Sequence, residues 1–273
     1  MAVVTAGQDY TDFARLRCLR GGKPWYPSRA ARELLSSGMR KVVVLRNEPL
    51  SPSVIGLRLA CVDREPLVFV PGQWVNLHVA AGGEVEKRPY SIASAPDSGA
   101  PDAFELAITL VEDGHVSGAL HAMQPGDMLL MDGPYGFFTR EDHPAEDALL
   151  VGTGTGVAPL RAMLQAALAQ ESGPRLTLLF GCRTREDLLY RAEFEALAAQ
   201  HARFRFEPTL SRAESSWTGR RGYVQTHLPE LIPALGRPHV YVCGLSNMVN
   251  AVRAALKETL GYNRKQIHTE RYD

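Results

Sequence analysis

Two short stretches of this chain carry residue types that can act together on a redox cofactor. Arg88-Pro89-Tyr90-Ser91 sets a cation, an aromatic ring and a hydroxyl on one extended run. In a strand, alternation sends Arg88 and Tyr90 to one face and Ser91 to the other. That trio can serve a flavin's pyrophosphate, its ring face and its N5 edge. Gly152-Thr153-Gly154-Thr155-Gly156-Val157-Ala158-Pro159 stands between an apolar run at 148–151 and a helical pattern at 158–170. A glycine-rich turn there presents bare backbone N–H groups and the positive end of a helix to a second anionic cofactor. Two cofactors on one chain imply hydride traffic between them.

A third stretch supports the first. Gly114-His115-Val116-Ser117-Gly118-Ala119-Leu120 follows a strand pattern and opens a helix. The amides of Val116 and Ser117 at that start can hold pyrophosphate oxygens. Ser117 also reads as an ordinary N-cap, and the two roles are compatible. A second phosphate-holding turn favours FAD over FMN. The glycine loop departs from the dinucleotide fingerprint G-x-G-x-x-G, since Val157 occupies the third glycine's place. Pro159 fits the first helical turn, where no intrahelical N–H is missed.

These segments need a scaffold that brings them face to face. Between residues 41 and 143 the sequence alternates as antiparallel strands do, at 42–45, 54–59, 74–79, 104–111 and 128–131, with one helix near 117–123. This half predicts a β-barrel. From 144 to 273 short apolar runs at 148–151, 176–180, 203–207 and 239–243 alternate with helical patterns at 158–170, 185–200 and 247–260. That alternation predicts a parallel sheet with helices on both faces, and a boundary near 141–145. Arg183 ends one of these strands and is expected to border the pocket for the nucleotide's adenosine end, while Glu186 and Asp187 are expected to cap the helix that follows.

The chain has 273 residues, enough for two domains with separate cores. With 30 basic and 30 acidic residues it has no net bias toward nucleic acid or an anionic membrane. Cys18, Cys61, Cys182 and Cys243 are too scattered for an iron–sulfur centre, so no metal is expected and the thiols read as reduced. No apolar run approaches the roughly 18 residues of a membrane span. A cytoplasmic monomer is expected. Residues 1–40 carry seven basic and three acidic residues. Helical patterns at 11–19 and 28–36 suit a cover over the barrel, and Arg15, Arg17, Arg20 and Lys23 offer an acceptor-docking alternative.

From about Val42 onward, these motifs in this order resemble the ferredoxin-NADP+ reductase family. The resemblance implies a Greek-key FAD-binding barrel followed by a parallel-sheet NAD(P)-binding α/β domain. It implies that Arg88 neutralises the flavin pyrophosphate, Tyr90 lies against the isoalloxazine and Ser91 reaches N5. Cys243-Gly244-Leu245 and Glu270-Arg271-Tyr272 match positions that the family places beside the nicotinamide and flavin. Cys243 would pack near the nicotinamide C4, Glu270 would join Ser91 in a polar network, and Tyr272 would cover the flavin face. The family's plant-type members end on that tyrosine, whereas Asp273 follows it here. Leu210-Ser211-Arg212 and Thr218-Gly219-Arg220-Arg221-Gly222-Tyr223 resemble the clamp for a 2′-phosphate, which implies NADPH, with NADH possible.

The expected function is hydride transfer from NADPH to FAD and single-electron delivery to a separate ferredoxin or flavodoxin. A runner-up is the reductase component of an oxygenase system using NADH or NADPH. A non-catalytic nucleotide-binding subunit is the reading from a different class.

Overall fold

A computed structural model describes residues 39–81 and 84–272. The helices expected at 11–19 and 28–36, the docking cations Arg15, Arg17, Arg20 and Lys23, and Asp273 lie outside the described residues.

The first half contains strands β1 (Arg40–Ser51), β2 (Val54–Cys61), β3 (Trp74–Ala81), β4 (Glu84–Ser91), β5 (Ala103–Thr109) and β6 (Met128–Tyr135). They form an antiparallel sheet in the order β4-β3-β6-β1-β2-β5. Ile92, just past β4, bridges Leu106 of β5 and closes the sheet into a barrel. Alternation fills the interior: Val42, Val44, Leu57, Leu59, Val75 and Leu77 are all buried in one core. Among the described residues of this half a single helix, α1 (His115–His121), buries Val116 and Leu120 in the same core. The turn before β3 needs its glycine. Gly72 has φ +108, and a Cβ there would sit 1.9 Å from the Phe138 carbonyl.

The second half is built on β7 (Ala148–Thr153), β8 (Leu176–Cys182), β9 (Phe204–Leu210), β10 (Arg220–Arg221), β11 (His239–Gly244) and β12 (Ile267–Arg271). All are parallel, in the order β10-β9-β8-β7-β11-β12. Helices α2 (Val157–Leu168), α3 (Arg191–Gln200), α4 (Leu228–Leu235) and α5 (Ser246–Ala254) complete the domain. Leu149, Val151, Val240 and Val242 pack with α4 and α5, while Ala148, Leu150, Tyr241 and Cys243 pack with α2 and α3. Burial on both faces explains why these strands read as continuous apolar runs. The chain turns from β7 toward β8 and later returns to β11 on the other side of β7. The carboxyl ends of β7 and β11 are therefore the switch point, where open α/β sheets hold ligands.

Three expectations need correction. The helix expected at 185–200 begins at Arg191, because Tyr190 has a left-handed φ of 55°. Ahead of it, Asp187 closes a tight 3-10 turn with Thr184 and does not cap α3. The pattern at 247–260 is also divided: α5 stops at Ala254 and a wider π turn covers Ala255–Thr259.

The two halves share a core. Val54, Ala93, Ala107 and Phe138 of the first half pack in the same cluster as α2 and β7. Arg161, buried in α2, crosses this junction. It donates to the Ala93 carbonyl at 2.8 Å, to Glu105 at 2.8 Å and to Glu193 at 2.9 Å, and its guanidinium lies 4.2 Å from the Tyr190 ring centroid. Burial alone would raise the Glu105 carboxyl, but the Arg161 and Arg58 guanidiniums outweigh it and hold Glu105 below its usual value.

Candidate active site

A cleft of about 930 Å³ opens between β4, the end of β5, the start of α1 and the C-terminal tail. Arg88, Pro89, Tyr90, Ser91, Gly114, Val116, Ser117, Thr155 and Tyr272 all line it. Arg88 is exposed, paired with Glu86 and bonded to the Lys87 carbonyl. Tyr90 packs partly against the barrel core, and burial pushes its phenol up to about 12. It stays a neutral ring, suited to stacking. Ser91 is buried at the strand's end, where β4 meets the second domain.

At the start of α1 the N-cap is Gly114, not Ser117. Ser117 stands three positions further in. Its hydroxyl accepts from the Val111 amide at 3.0 Å and donates to the Gly114 carbonyl at 3.2 Å. The hydroxyl thus tightens the turn, and Gly114, His115, Val116 and Ser117 line the cleft's end. A side chain at 114 would meet Ser117 Oγ at 2.8 Å. Only glycine fits this turn.

Opposite lies the glycine loop. β7 ends at Thr153, a 3-10 turn covers Gly154–Gly156, and Pro159 sits in the first turn of α2 as expected. A Cβ on Gly156 would lie 2.3 Å from the Cys243 carbonyl, so β11 and the loop cross backbone to backbone. Gly154 has φ +54 and open space beside it. The Thr153 hydroxyl is buried without a hydrogen-bond partner among the described residues, and a Cβ on Gly244 would lie 2.5 Å from it. An orphaned buried donor and open space at Gly154 fit the phosphates and carboxamide of a nicotinamide nucleotide.

Between the two halves four predicted residues meet. Ser91 Oγ donates to Glu270 Oε1 at 3.1 Å and accepts a short hydrogen bond from the Tyr272 hydroxyl. Cys243 Sγ stands 4.0 Å from the same Glu270 oxygen. Parallel pairing of Cys243 with Glu270 sets this distance, and the Tyr272 amide donates to the Gly244 carbonyl at 3.0 Å, fixing the tail. Burial pushes Glu270 up to about 7, against the Ser91 hydrogen bond that lowers it. Burial raises Cys243 well above its usual value, so it is a thiol and not a nucleophile. Leu245 is exposed at the start of α5.

The cations expected around a 2′-phosphate divide. Arg183 and Arg212 are exposed at the ends of β8 and β9, joined by the Arg212 amide's 2.8 Å bond to the Arg183 carbonyl. No carboxylate pairs with either among the described residues. Ser211 is exposed beside them, its hydroxyl 3.4 Å from the Cys182 carbonyl. Arg220 is committed elsewhere: its guanidinium contacts Glu207 at 2.8 Å and both Glu230 oxygens at 2.7 Å. The sequence placed it in a polar loop, but β10 pins it beside β9, within reach of both acids. Arg161 was not singled out from the sequence. Its one signal was a lone charge on the apolar stretch Val157–Leu168.

A barrel strand bearing cation, ring and hydroxyl, set against the switch point of a parallel sheet, defines a flavin oxidoreductase fed by a nicotinamide nucleotide. Residues 41–139 match the oxidoreductase FAD-binding domain and residues 150–254 the oxidoreductase NAD-binding domain. The chain is 49% identical over 231 residues to ferredoxin–NADP reductase B of Sorangium cellulosum, covering 82% of this chain and 94% of that protein. It belongs to the ferredoxin–NADP reductase family, and its cofactors are FAD and NAD(P)H. It is also 33% identical to the phenol 2-monooxygenase reductase component DmpP of Pseudomonas sp. CF600, over 82% of this chain but only 62% of that longer protein. Among solved structures it resembles the Amycolatopsis cytochrome P450 reductase GcoB, with TM-score 0.75 and 29% identity, over 85% of this chain and 70% of that one. No helix among the described residues is long and apolar enough to cross a membrane.

Proposed function

We propose that this reductase draws hydride from NADPH and serves a separate one-electron carrier of the ferredoxin or flavodoxin type, as a cytoplasmic monomer. The observation that carries the reading is the Ser91–Glu270–Tyr272–Cys243 cluster, assembled from β4, β11, β12 and the tail at the mouth of the cleft. When bound, FAD accepts a hydride as a pair of electrons and releases the electrons one at a time.

The chain's own residues supply position and electrostatics. Arg88 and the opening amides of α1 would hold the FAD pyrophosphate, with Tyr90 against the ring and Ser91 at its edge. The glycine loop would hold the nucleotide's pyrophosphate by backbone donors. Cys243, buried and neutral, would offer a small apolar wall, and Glu270 would orient Ser91 through the 3.1 Å bond. Exposed Arg183 and Arg212 favour NADPH, since a hydrogen bond to a charged group is worth about 1.5 to 3 kcal/mol.

A second reading, the reductase component of an oxygenase, is favoured by the 33% identity to DmpP. Both readings share the site and differ in the acceptor. A non-catalytic subunit would have no reason to join Ser91, Cys243 and Glu270 across two domains. The test is anaerobic NADPH-driven reduction of a panel of ferredoxins, flavodoxins, oxygenase components and dyes. Fast turnover with a free ferredoxin or flavodoxin is expected. If NADPH bleaches the flavin and only an oxygenase component accepts electrons, the carrier assignment fails.

A further inference from the structure

On the face of the sheet that carries Cys243 and Glu270, but at the opposite end of the strands, three histidines converge. His239 opens β11, His268 is the second residue of β12, and His143 comes from the segment joining the two halves. One ring nitrogen from each lies within 4.8 Å of the others. His239 Nδ1 and His268 Nε2 are 3.0 Å apart, and the His143 and His239 ring centroids are 4.0 Å apart. We propose that His143, His239 and His268 form a binding site for one divalent transition-metal ion of the zinc class, which clips the interdomain segment to the C-terminal strands.

Ligand chemistry and reach both support the site. Imidazole suits Zn2+, and Zn–N bonds of about 2.0 to 2.1 Å in a tetrahedron require ligand nitrogens about 3.3 Å apart. The His239–His268 pair is already near that spacing. His143 sits on a loop and is one-third exposed, so a shift of roughly 1 to 2 Å brings its nitrogen into place without moving a strand. Glu146 Oε1 stands 3.6 Å from His143 Nδ1, where a carboxylate can orient a ligating imidazole. Asp142 adds negative charge near His268. Arg140 is the opposing charge, and it is turned onto the Glu146 carbonyl at 2.9 Å and the Tyr241 ring. The fourth position is left to water.

Place in the fold gives the site its role. His239 and Cys243 are four residues apart on β11, about 13 Å at a rise of about 3.3 Å per residue, so the ion would not touch the hydride path. His268 and Glu270 are two apart on β12, and Tyr241 stacks on His268 at 4.4 Å. An ion here would fix the strand that presents Glu270 and Tyr272 from its far end. The proposal stands whichever carrier the enzyme serves.

The experiment uses tag-free, FAD-loaded protein stripped with a chelator and titrated with Zn2+ by calorimetry, with Tm measured alongside. One Zn2+ per chain is expected, with Tm rising by about 5 °C or more at a hundredfold excess over Kd. H143A removes a ligand from the loop, away from both cores. It should match the wild-type FAD content and Tm in chelator, and lose at least about a hundredfold in affinity. Zinc uptake that is unchanged in H143A, as cysteine adsorption would give, overturns the proposal. So does binding weaker than roughly 100 µM, as scattered surface histidines would give.

Discussion

The two walls of the cleft recognise a cofactor by different means. The barrel wall uses side chains on an edge strand, with Arg88 exposed, Tyr90 half-buried and Ser91 buried in sequence. The sheet wall uses backbone, because parallel strands buried on both faces end where a helix begins and offer amides in place of side chains. Side-chain contacts can be removed singly without disturbing their neighbours. Backbone contacts fail by steric intrusion, and their failure is abrupt.

The largest effect should therefore come from the smallest added group. G156A puts a Cβ 2.3 Å from the Cys243 carbonyl and 2.8 Å from Gly244 Cα, so the loop or β11 must move. Intrusion into packed structure costs about 1 to 3 kcal/mol, and displacement of the nucleotide adds to it. NADPH-driven flavin reduction in stopped flow should slow by about a hundredfold or more, with FAD retained. G154A meets nothing within 4 Å and has only its φ of +54 against it. It should lose about 1 kcal/mol of stability and far less activity. Equal losses in the two variants would mean that the backbone crossing at Cys243 is not what limits the loop.

On the barrel wall, S91A removes an acceptor from Tyr272 and a donor from Glu270 together. Hydride transfer should slow by roughly 30- to 100-fold with FAD content unchanged, as for a group that positions reactants. Glu270 adds a pH dependence with a definite sign. Its folded-state value of about 7 lies above the ordinary 4.5, so between those values the folded protein keeps a proton that the unfolded chain has released. Its contribution to stability is whole below about pH 4.5 and is lost as pH rises through 7. E270Q lacks that slope. Wild-type stability relative to E270Q should fall by on the order of 2 kcal/mol between pH 5 and 8. A pH-independent difference in Tm would show that Glu270 titrates normally.

R212A isolates one charge at the rim. It should lower kcat/KM for NADPH about tenfold and leave NADH nearly unchanged, since about 1.4 kcal/mol is a factor of ten. R220A is the contrast, because Glu207 and Glu230 already hold that guanidinium. It should affect both nucleotides alike and lower Tm. A selective NADPH loss in R220A would restore Arg220 to the clamp.

Legibility in the sequence followed the same division. The glycine loop, the Arg88-Pro89-Tyr90-Ser91 run and the apolar strands of the sheet were readable because local chemistry and local position coincide there. Ser117 was read as a cap because sequence gives the residue types that cap, whereas the Val111–Gly114 turn decides which residue occupies the place. Arg220's two acids and Arg161's reach to Ala93 depend on partners 10 to 68 residues away, whose pairing no local pattern announces. The histidine cluster is the extreme case. Its members lie 96 and 29 residues apart, and only the pairing of β11 with β12 and the path of the interdomain segment bring them together.

The smallest expected effect concerns the tail, where side chain and backbone meet. Tyr272 gives its hydroxyl to Ser91 on one wall and its amide to Gly244 on the other. If its ring occupies space that the nicotinamide must enter, each binding event has to displace it. Deleting Tyr272 and Asp273 should tighten NADP+ and NAD+ binding several-fold and weaken the preference for the phosphorylated nucleotide, because displacement no longer depends on a well-held 2′-phosphate. FAD should stay, since Arg88 and α1 are untouched. Deletion also removes the amide contact with Gly244, so Y272S is the companion variant: it keeps the backbone bond and loses the ring. Matching gains in both variants assign the effect to the ring. Gains in the deletion alone assign it to Gly244, and unchanged affinities in both would mean that Tyr272 closes the sheet without gating the flavin.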